Sequence, residues 1–155
     1  MKRFDRLIFV SNSDTYMGPM AKGIMRSKYL LSDLDVDSRG LVVLFPEPIN
    51  PKAEAILVSN GLTMKDHMSD PLVKEDAGER TLLLAVSEEV KQKVRTEFGD
   101  EFADSMQVLN TFVGVPQEIF NPYGGSLADY GQCFTELETL ISKLVVQLNE
   151  EELLC

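Results

Sequence analysis

The sequence predicts an α/β fold: a three-layer sandwich with a four-stranded parallel sheet between helices, built by one domain over residues 1–155. Three observations point there. Short apolar runs of strand length recur along the chain, beginning with Leu7-Ile8-Phe9-Val10. Stretches with apolar residues at helical spacing lie between them, most of them opened by a capping residue or a Pro. Strands alternating with helices imply a parallel sheet covered on both faces.

The first run is followed by the small polar stretch from Ser11 to Gly18 and then by Pro19, which opens a helix to about Leu30 with Met20, Ile24 and Met25 on one side. A strand, a tight polar loop and a Pro in the first helical turn aim a helix N-terminus, whose free N–H groups favour an anion. Residues 31–39 read as an acidic turn region, and Gly40 to Phe45 as the second strand, apolar throughout. Asn50 and Pro51 supply the N-cap and first position of a second helix, which Asn60-Gly61 ends. A loop follows, with one helical turn near 74–77. Thr81 to Val86 is the third strand, and Ser87 caps a helix to about Phe98, with Val90 and Val94 one turn apart. Gln107 to Val113 is the fourth strand and 114–125 a loop. Ser126 and Asp129 form a capping box for the last helix, whose apolar face runs Leu127, Tyr130, Phe134, Leu137, Ile141, Leu144, Leu148. Residues 150–155 read as a frayed acidic tail.

At 155 residues with 44% hydrophobic content the chain can bury a full core, so disorder is not the expectation. Its net charge of −10 repels nucleic acid and anionic membranes, and neither is expected as a partner. The start of the chain lacks the apolar stretch of a signal peptide, no run approaches a membrane span, and a cytoplasmic location is expected. The two cysteines, Cys133 and Cys155, have neither metal-ligand nor disulfide spacing, so no metal and no cofactor is expected.

Four segments in order carry a resemblance: Ser11 to Ala21, Ser38-Arg39-Gly40, Gly61 to Asp70 with His67, and Asn121-Pro122-Tyr123. Together they resemble the low-molecular-weight protein tyrosine phosphatases over the whole chain. The resemblance implies that family's fold and makes the stretch 11–18 its phosphate loop. The scaffold positions agree, notably Pro19 and Ala21. The chemical ones do not: Ser11 stands at the nucleophilic Cys, Met17 at the phosphate-gripping Arg, and Asn121 at the general acid. Ser13-Asp14 replaces a Gly-Asn pair, Tyr16 the second Cys, and Gly18 a Ser. The resemblance places His67 in a structural role, and puts aromatics of the loop before the last helix around the phenol ring of a substrate. The related arsenate reductases need several Cys near this loop, and none is there.

Hydrolysis through a phospho-enzyme needs a nucleophile ionised near neutral pH, donors for the equatorial oxygens, and an acid for the leaving group. A Cys thiolate meets the first need because its pKa falls at a helix N-terminus beside Arg. The Ser11 hydroxyl does not ionise unaided, Met17 offers no bidentate grip, and Asn121 cannot transfer a proton as an acid does. Asp14 adds a negative charge to a cradle meant for a dianion. The expectation is a catalytically degraded phosphatase-like protein that works as a binding or regulatory module. Its unknown protein or small-molecule ligand would meet Asn12, Ser13, Asp14, Thr15, Tyr16, Gly18 and Tyr123. The alternative is a slow protein-tyrosine or aryl phosphomonoester phosphatase using Ser11 or Asp14.

Several residues have plainer readings. Asp14 also fits a cap of the loop or helix. The string from Ser11 to Thr15 resembles the opening motif of haloacid dehalogenases, but both of that motif's Asp positions read Ser. Lys22 and Arg26 fit a solvated helix face, Cys133 a small buried side chain, and Tyr123 simple packing against the first loop. Met17 and Met68, each at a family Arg, would close the pocket with apolar atoms. A monomer or weak homodimer is expected.

Overall fold

The computed structural model describes residues 3–154. Its centre is a four-stranded parallel sheet of order β2-β1-β3-β4, with β1 Arg6–Ser11, β2 Asp35–Gly40, β3 Thr81–Ala85 and β4 Met106–Val108. Register runs Arg6↔Asp35 to Ser11↔Gly40 on one side of β1 and Arg6↔Thr81 to Val10↔Ala85 on the other. Leu7, Ile8, Phe9 and Val10 are all fully buried. Successive side chains on a strand point to opposite faces, so both faces of the sheet are covered.

Two groups of helices do the covering. Helices α1 (Met17–Arg26), α2 (Pro51–Ser59) and α6 (Leu127–Leu154) pack on one another. Helices α3 (Glu88–Phe98) and α4 (Asp100–Asp104) pack together and against β3 and β4. A short α5 (Leu109–Phe112) follows β4 directly. The caps read from sequence are in place. Asn50 Oδ1 accepts from the N–H groups of Lys52 and Ala53, Ser87 Oγ from Val90, and Ser126 and Asp129 bond reciprocally. Gly61, at φ 78°, takes the left-handed conformation that ends α2.

The second strand differs from the sequence reading. It is Asp35–Gly40, not Gly40 to Phe45. As an edge strand with one neighbour, β2 buries only Val36, Ser38 and Gly40 and turns Asp35, Asp37 and Arg39 outward. Those charges are satisfied partly within the strand and partly by distant partners: Arg39 pairs with Asp37 at 2.9 Å and Asp76 at 3.4 Å, and Arg6 with Asp37 at 3.2 Å and Asp76 at 3.6 Å. The apolar run that looked like the strand is a surface loop, with Leu44 90% and Phe45 62% exposed. Gly40 closes β2 because a Cβ there would meet the Ser13 carbonyl carbon at 2.9 Å and the Asp14 side chain at 3.0 Å.

Smaller differences have local causes. Helix α1 stops at Arg26, where the Ser27 hydroxyl bonds back to the Ile24 carbonyl at 2.6 Å. The fourth strand is three residues long, and the rest of its predicted span turns into α5, where Thr111 Oγ1 donates to the Val108 carbonyl. The acidic tail is not frayed over the described residues. Helix α6 continues to Leu154, and Glu151 meets Arg3 at 3.1 Å. Cys155 lies outside the described residues. The expected turn near 74–77 is a single 3-10 turn, Lys74–Asp76.

Candidate active-site cleft

Residues 12–16 join the carboxyl end of β1 to the amino end of α1, beside the carboxyl end of β3. Strand order reverses at β1, and such a switch point leaves a crevice above the sheet. The loop is tied from several sides. The Leu41 N–H donates to the Ser11 and Asn12 carbonyls at 3.1 and 2.9 Å, Val42 N–H to Asn12 at 2.8 Å, and Asn50 N–H to Thr15 at 2.7 Å. Ser13 and Thr15 hydroxyls bond at 2.7 Å. Asp14 sits at φ 59°, and its N–H donates to Ser11 Oγ at 3.1 Å. The N–H groups of Ser13, Thr15 and Tyr16 find no acceptor among the described residues.

A cleft of about 340 Å³ opens at this loop. Ser11, Asn12, Tyr16 and Met17 form its floor, Val86, Ser87, Glu89, Val90 and Lys93 one flank, and Ile119, Asn121 and Tyr123 the other. The structure thus brings together six of the residues singled out from sequence. Ser13, Asp14, Thr15 and Gly18 are not among its walls, and neither is Met68, which is half exposed elsewhere. Met17 lines the cleft and also belongs to the buried core.

Asn121 holds the aromatic side. Its Oδ1 accepts from the Tyr16 hydroxyl at 3.1 Å and from the Tyr123 N–H at 3.0 Å. Tyr16 packs edge-on to Tyr130, centroids 5.9 Å apart, and lies 6.3 Å from Tyr123. Tyr123 is nonetheless 72% exposed, so most of its ring faces solvent. The cleft's one lysine is engaged: Lys93 Nζ pairs with Glu89 at 3.2 Å and lies 3.4 Å from Asn12 Oδ1.

Under the loop lies a buried polar chain. Lys22 Nζ is 2.6 Å from His67 Nδ1, and His67 Nε2 is 2.7 Å from the Asp14 carbonyl and 3.7 Å from its Oδ2. Lysine only donates, so Nδ1 accepts and Nε2 carries the proton given to Asp14. Burial lowers the pKa of both His67 and Lys22, which suits a neutral imidazole. His67 is therefore structural, as expected. Lys22 is not on a solvated face; it is 6% exposed and sits inside. Arg26 is exposed but bonds the Val36 carbonyl at 2.6 Å.

Asp14 is fully buried. Its Oδ2 accepts from the Asp70 N–H at 3.1 Å, while Oδ1 has no hydrogen-bond partner. Ser38 Oγ is also buried without a well-formed hydrogen bond, yet its side chain lies close enough to Asp14 to favour the carboxylate. Burial pushes the Asp14 carboxyl up to about 6, against the opposing pull of the Ser38 side chain, the Asp70 N–H, Lys22 and Arg39. Sequence reasoning missed Lys22, Ser38 and the α3 flank of the cleft. The Ser87 cap after an apolar strand was the available signal for the last. Among the described residues no cluster of three His, Cys, Asp or Glu could hold a metal, and no helix is long and apolar enough to cross a membrane.

A parallel α/β sheet with a pinned loop between its first strand and first helix, beside a cleft at the carboxyl ends of the strands, is the arrangement that the resemblance implies. The chain belongs to the low molecular weight phosphotyrosine protein phosphatase family, whose model matches residues 6–153. It is 31% identical over 149 residues to the protein-arginine-phosphatase of Bacillus subtilis, covering 94% of this chain and 97% of that one. It is 29% identical to the low molecular weight protein-tyrosine-phosphatase PtpB of Staphylococcus haemolyticus, covering 90% and 96%. The YwlE arginine phosphatase structure from Geobacillus stearothermophilus superposes with a TM-score of 0.86 at 31% identity, over 96% of this chain and 95% of that one. A Cys-to-Ser mutant of YwlE arginine phosphatase with a phosphorylated active-site serine superposes at 0.81 with 30% identity, over 92% and 95%.

Proposed function

We propose that this chain is a phosphatase-family binding module whose hydrolytic chemistry is degraded. The observation that carries this reading is Asn121. The position that the resemblance gives to the general acid holds an amide whose oxygen is used twice to fix Tyr16 and Tyr123. It bears no acidic proton for a leaving group and no base for the water that would release a phosphoryl group. Met17 puts apolar atoms where a guanidinium would grip the anion, and Ser11 Oγ accepts a hydrogen bond from Asp14 N–H with no base bonded to it. What is left is a neutral, aromatic-walled cleft suited to a flat apolar side chain or a short peptide segment.

The deciding experiment is hydrolysis of p-nitrophenyl phosphate by the purified protein, beside Ser11→Ala and Asp14→Ala. The expected rate does not exceed the buffer blank for any of the three. Turnover by the parent, lost in one variant, would overturn the proposal. A second reading, slow phosphomonoester hydrolysis through Ser11, has one observation in its favour. A serine at the active site of a relative carries a phosphoryl group, and Ser11 lies on the floor of the cleft here. Under that reading, the peptide carrying Ser11 gains a phosphoryl group after incubation with the aryl phosphate, visible by mass spectrometry.

A further inference from the structure

The segment that leads from α5 toward the aromatic loop borders a second concavity. A groove of about 400 Å³ lies between residues 115–119 and the side of α6. Val115, Ile119 and Leu140 make its apolar part, and Glu118, Glu136, Thr135 and Thr139 its rim. The walls are fixed before anything binds. The Val115 N–H donates to the Asn110 carbonyl at 2.8 Å, and the Val115 carbonyl accepts from Asn110 Nδ2 at 2.9 Å. At the other end the Phe120 N–H donates to Glu136 Oε1 at 2.8 Å, and the Glu88 N–H to Glu118 Oε2 at 2.9 Å.

The polar groups of this rim have one sense: they accept. Thr135 and Thr139 spend their hydroxyl protons on the Gly131 and Thr135 carbonyls, each at 3.1 Å, so each has only lone pairs left to offer. A carboxylate has room for about four hydrogen bonds and donates none. Glu118 accepts one, and Glu136 accepts two, from Phe120 and from Gln132. Among the described residues neither forms an ion pair with a lysine or an arginine. Gln117 alone adds a side chain able to donate, and it is exposed. Two carboxylates unpaired by cations over an apolar floor repel an anion, and a purely apolar group would leave the rim unused. A side chain with an aliphatic stem and a cationic head of N–H donors satisfies both parts.

The groove also lies next to the cleft. Ile119 is a wall of both, so the two sites are separated by a single residue. A chain with one side chain in the cleft brings its neighbours to the groove.

We propose that this groove is a subsite for a basic side chain, arginine or lysine, carried by the peptide that the cleft takes. The stem lies on Val115, Ile119 and Leu140, and the head meets Glu118 and Glu136. That the two sites share one ligand rests on the reading of the cleft as a binding site. The preference of the groove for a cation comes from its own walls.

The probe is N-acetyl-arginine methylamide, beside the citrulline derivative, which has the same length and no charge. Each is titrated into the full ¹⁵N-labelled chain at about pH 7, and amide shifts are followed by NMR. Saturable shifts are expected over residues 115–120 and 135–140, with the citrulline probe at least about fivefold weaker. Glu118→Gln and Glu136→Gln each keep an acceptor for the N–H that the native side chain holds. The double variant is expected to bind the two probes alike. Equal binding of both probes by the parent overturns the proposal, as do shifts confined to other parts of the surface, or an arginine preference that survives in the double variant. The comparison of probes on the parent decides even if that variant does not fold. N-acetyl-tyrosinamide tests the cleft in the same spectra. Silence at Tyr16 and Tyr123, with arginine-specific shifts in the groove, would overturn the reading of the cleft and leave the groove as a site for basic side chains in its own right.

Discussion

Between pH 3.8 and about 6, the ordinary and the folded values for its carboxyl, Asp14 works against the fold. The folded chain holds the proton where the unfolded chain has lost it, so stability declines as pH rises through that window and is level above it. A shift of this size corresponds to at most about 3 kcal/mol at neutral pH, at about 1.4 kcal/mol per unit. Asp14→Asn keeps an acceptor for the Asp70 N–H and removes the buried charge. It is expected to raise stability by about 2 kcal/mol at pH 8 and to change little near pH 4, as read from urea midpoints at both pH values. Cys133 offers a second test at this scale. Burial pushes its thiol up to about 12, so in a Cys155→Ser background a thiol reagent is expected to label it only when the protein unfolds. Residue types and order pointed to Ser11, Met17 and Asn121 together, and the three line one cleft. Lys22 was not legible, because its hydrogen-bond partner inside the protein is a histidine 45 positions away along the chain.

At the scale of elements, legibility followed how locally each was determined. The helices α2, α3 and α6 carry their own caps and apolar spacing, and their starts agree with the sequence to within a residue. Strands β1 and β3, central and buried on both faces, read directly as apolar runs. Strand β2 did not, because its alternating charges are paid for by Arg6 and Asp76, neither of which lies nearby in sequence. The two candidate segments make opposite forecasts. Leu44→Asp, on the exposed loop, is expected to shift unfolding free energy by no more than about 0.5 kcal/mol. Had 40–45 been the buried strand, the same change would cost several times more. Leu57→Ala, in the core face of α2, is expected to cost about 2–5 kcal/mol in the same denaturation assay.

For the whole molecule, the family fold survives with about three in ten residues shared with its phosphatase relatives, because the pattern of burial needs volumes and periodicity more than particular side chains. The overall charge of −10 adds a property that no single site shows. An anionic ligand approaches against a repelling field, so its association rate is expected to increase as ionic strength rises from about 0.01 M to about 0.15 M, measured by stopped-flow fluorescence. A cationic or neutral ligand of the same shape would show the opposite trend or none.

Met17 ties this cleft to the core. Its side chain is packed into the core as well as lining the cleft floor, so an arginine placed at that position would have to displace apolar neighbours. Asn121 is likewise committed, through the two bonds that position Tyr16 and Tyr123. Placing Cys, Arg and Asp at 11, 17 and 121 would therefore have to be accompanied by repacking around the first helix. Packing and hydrogen bonding thus hold the floor and the aromatic side of the cleft in one shape, so a change at either position is felt on both sides of it.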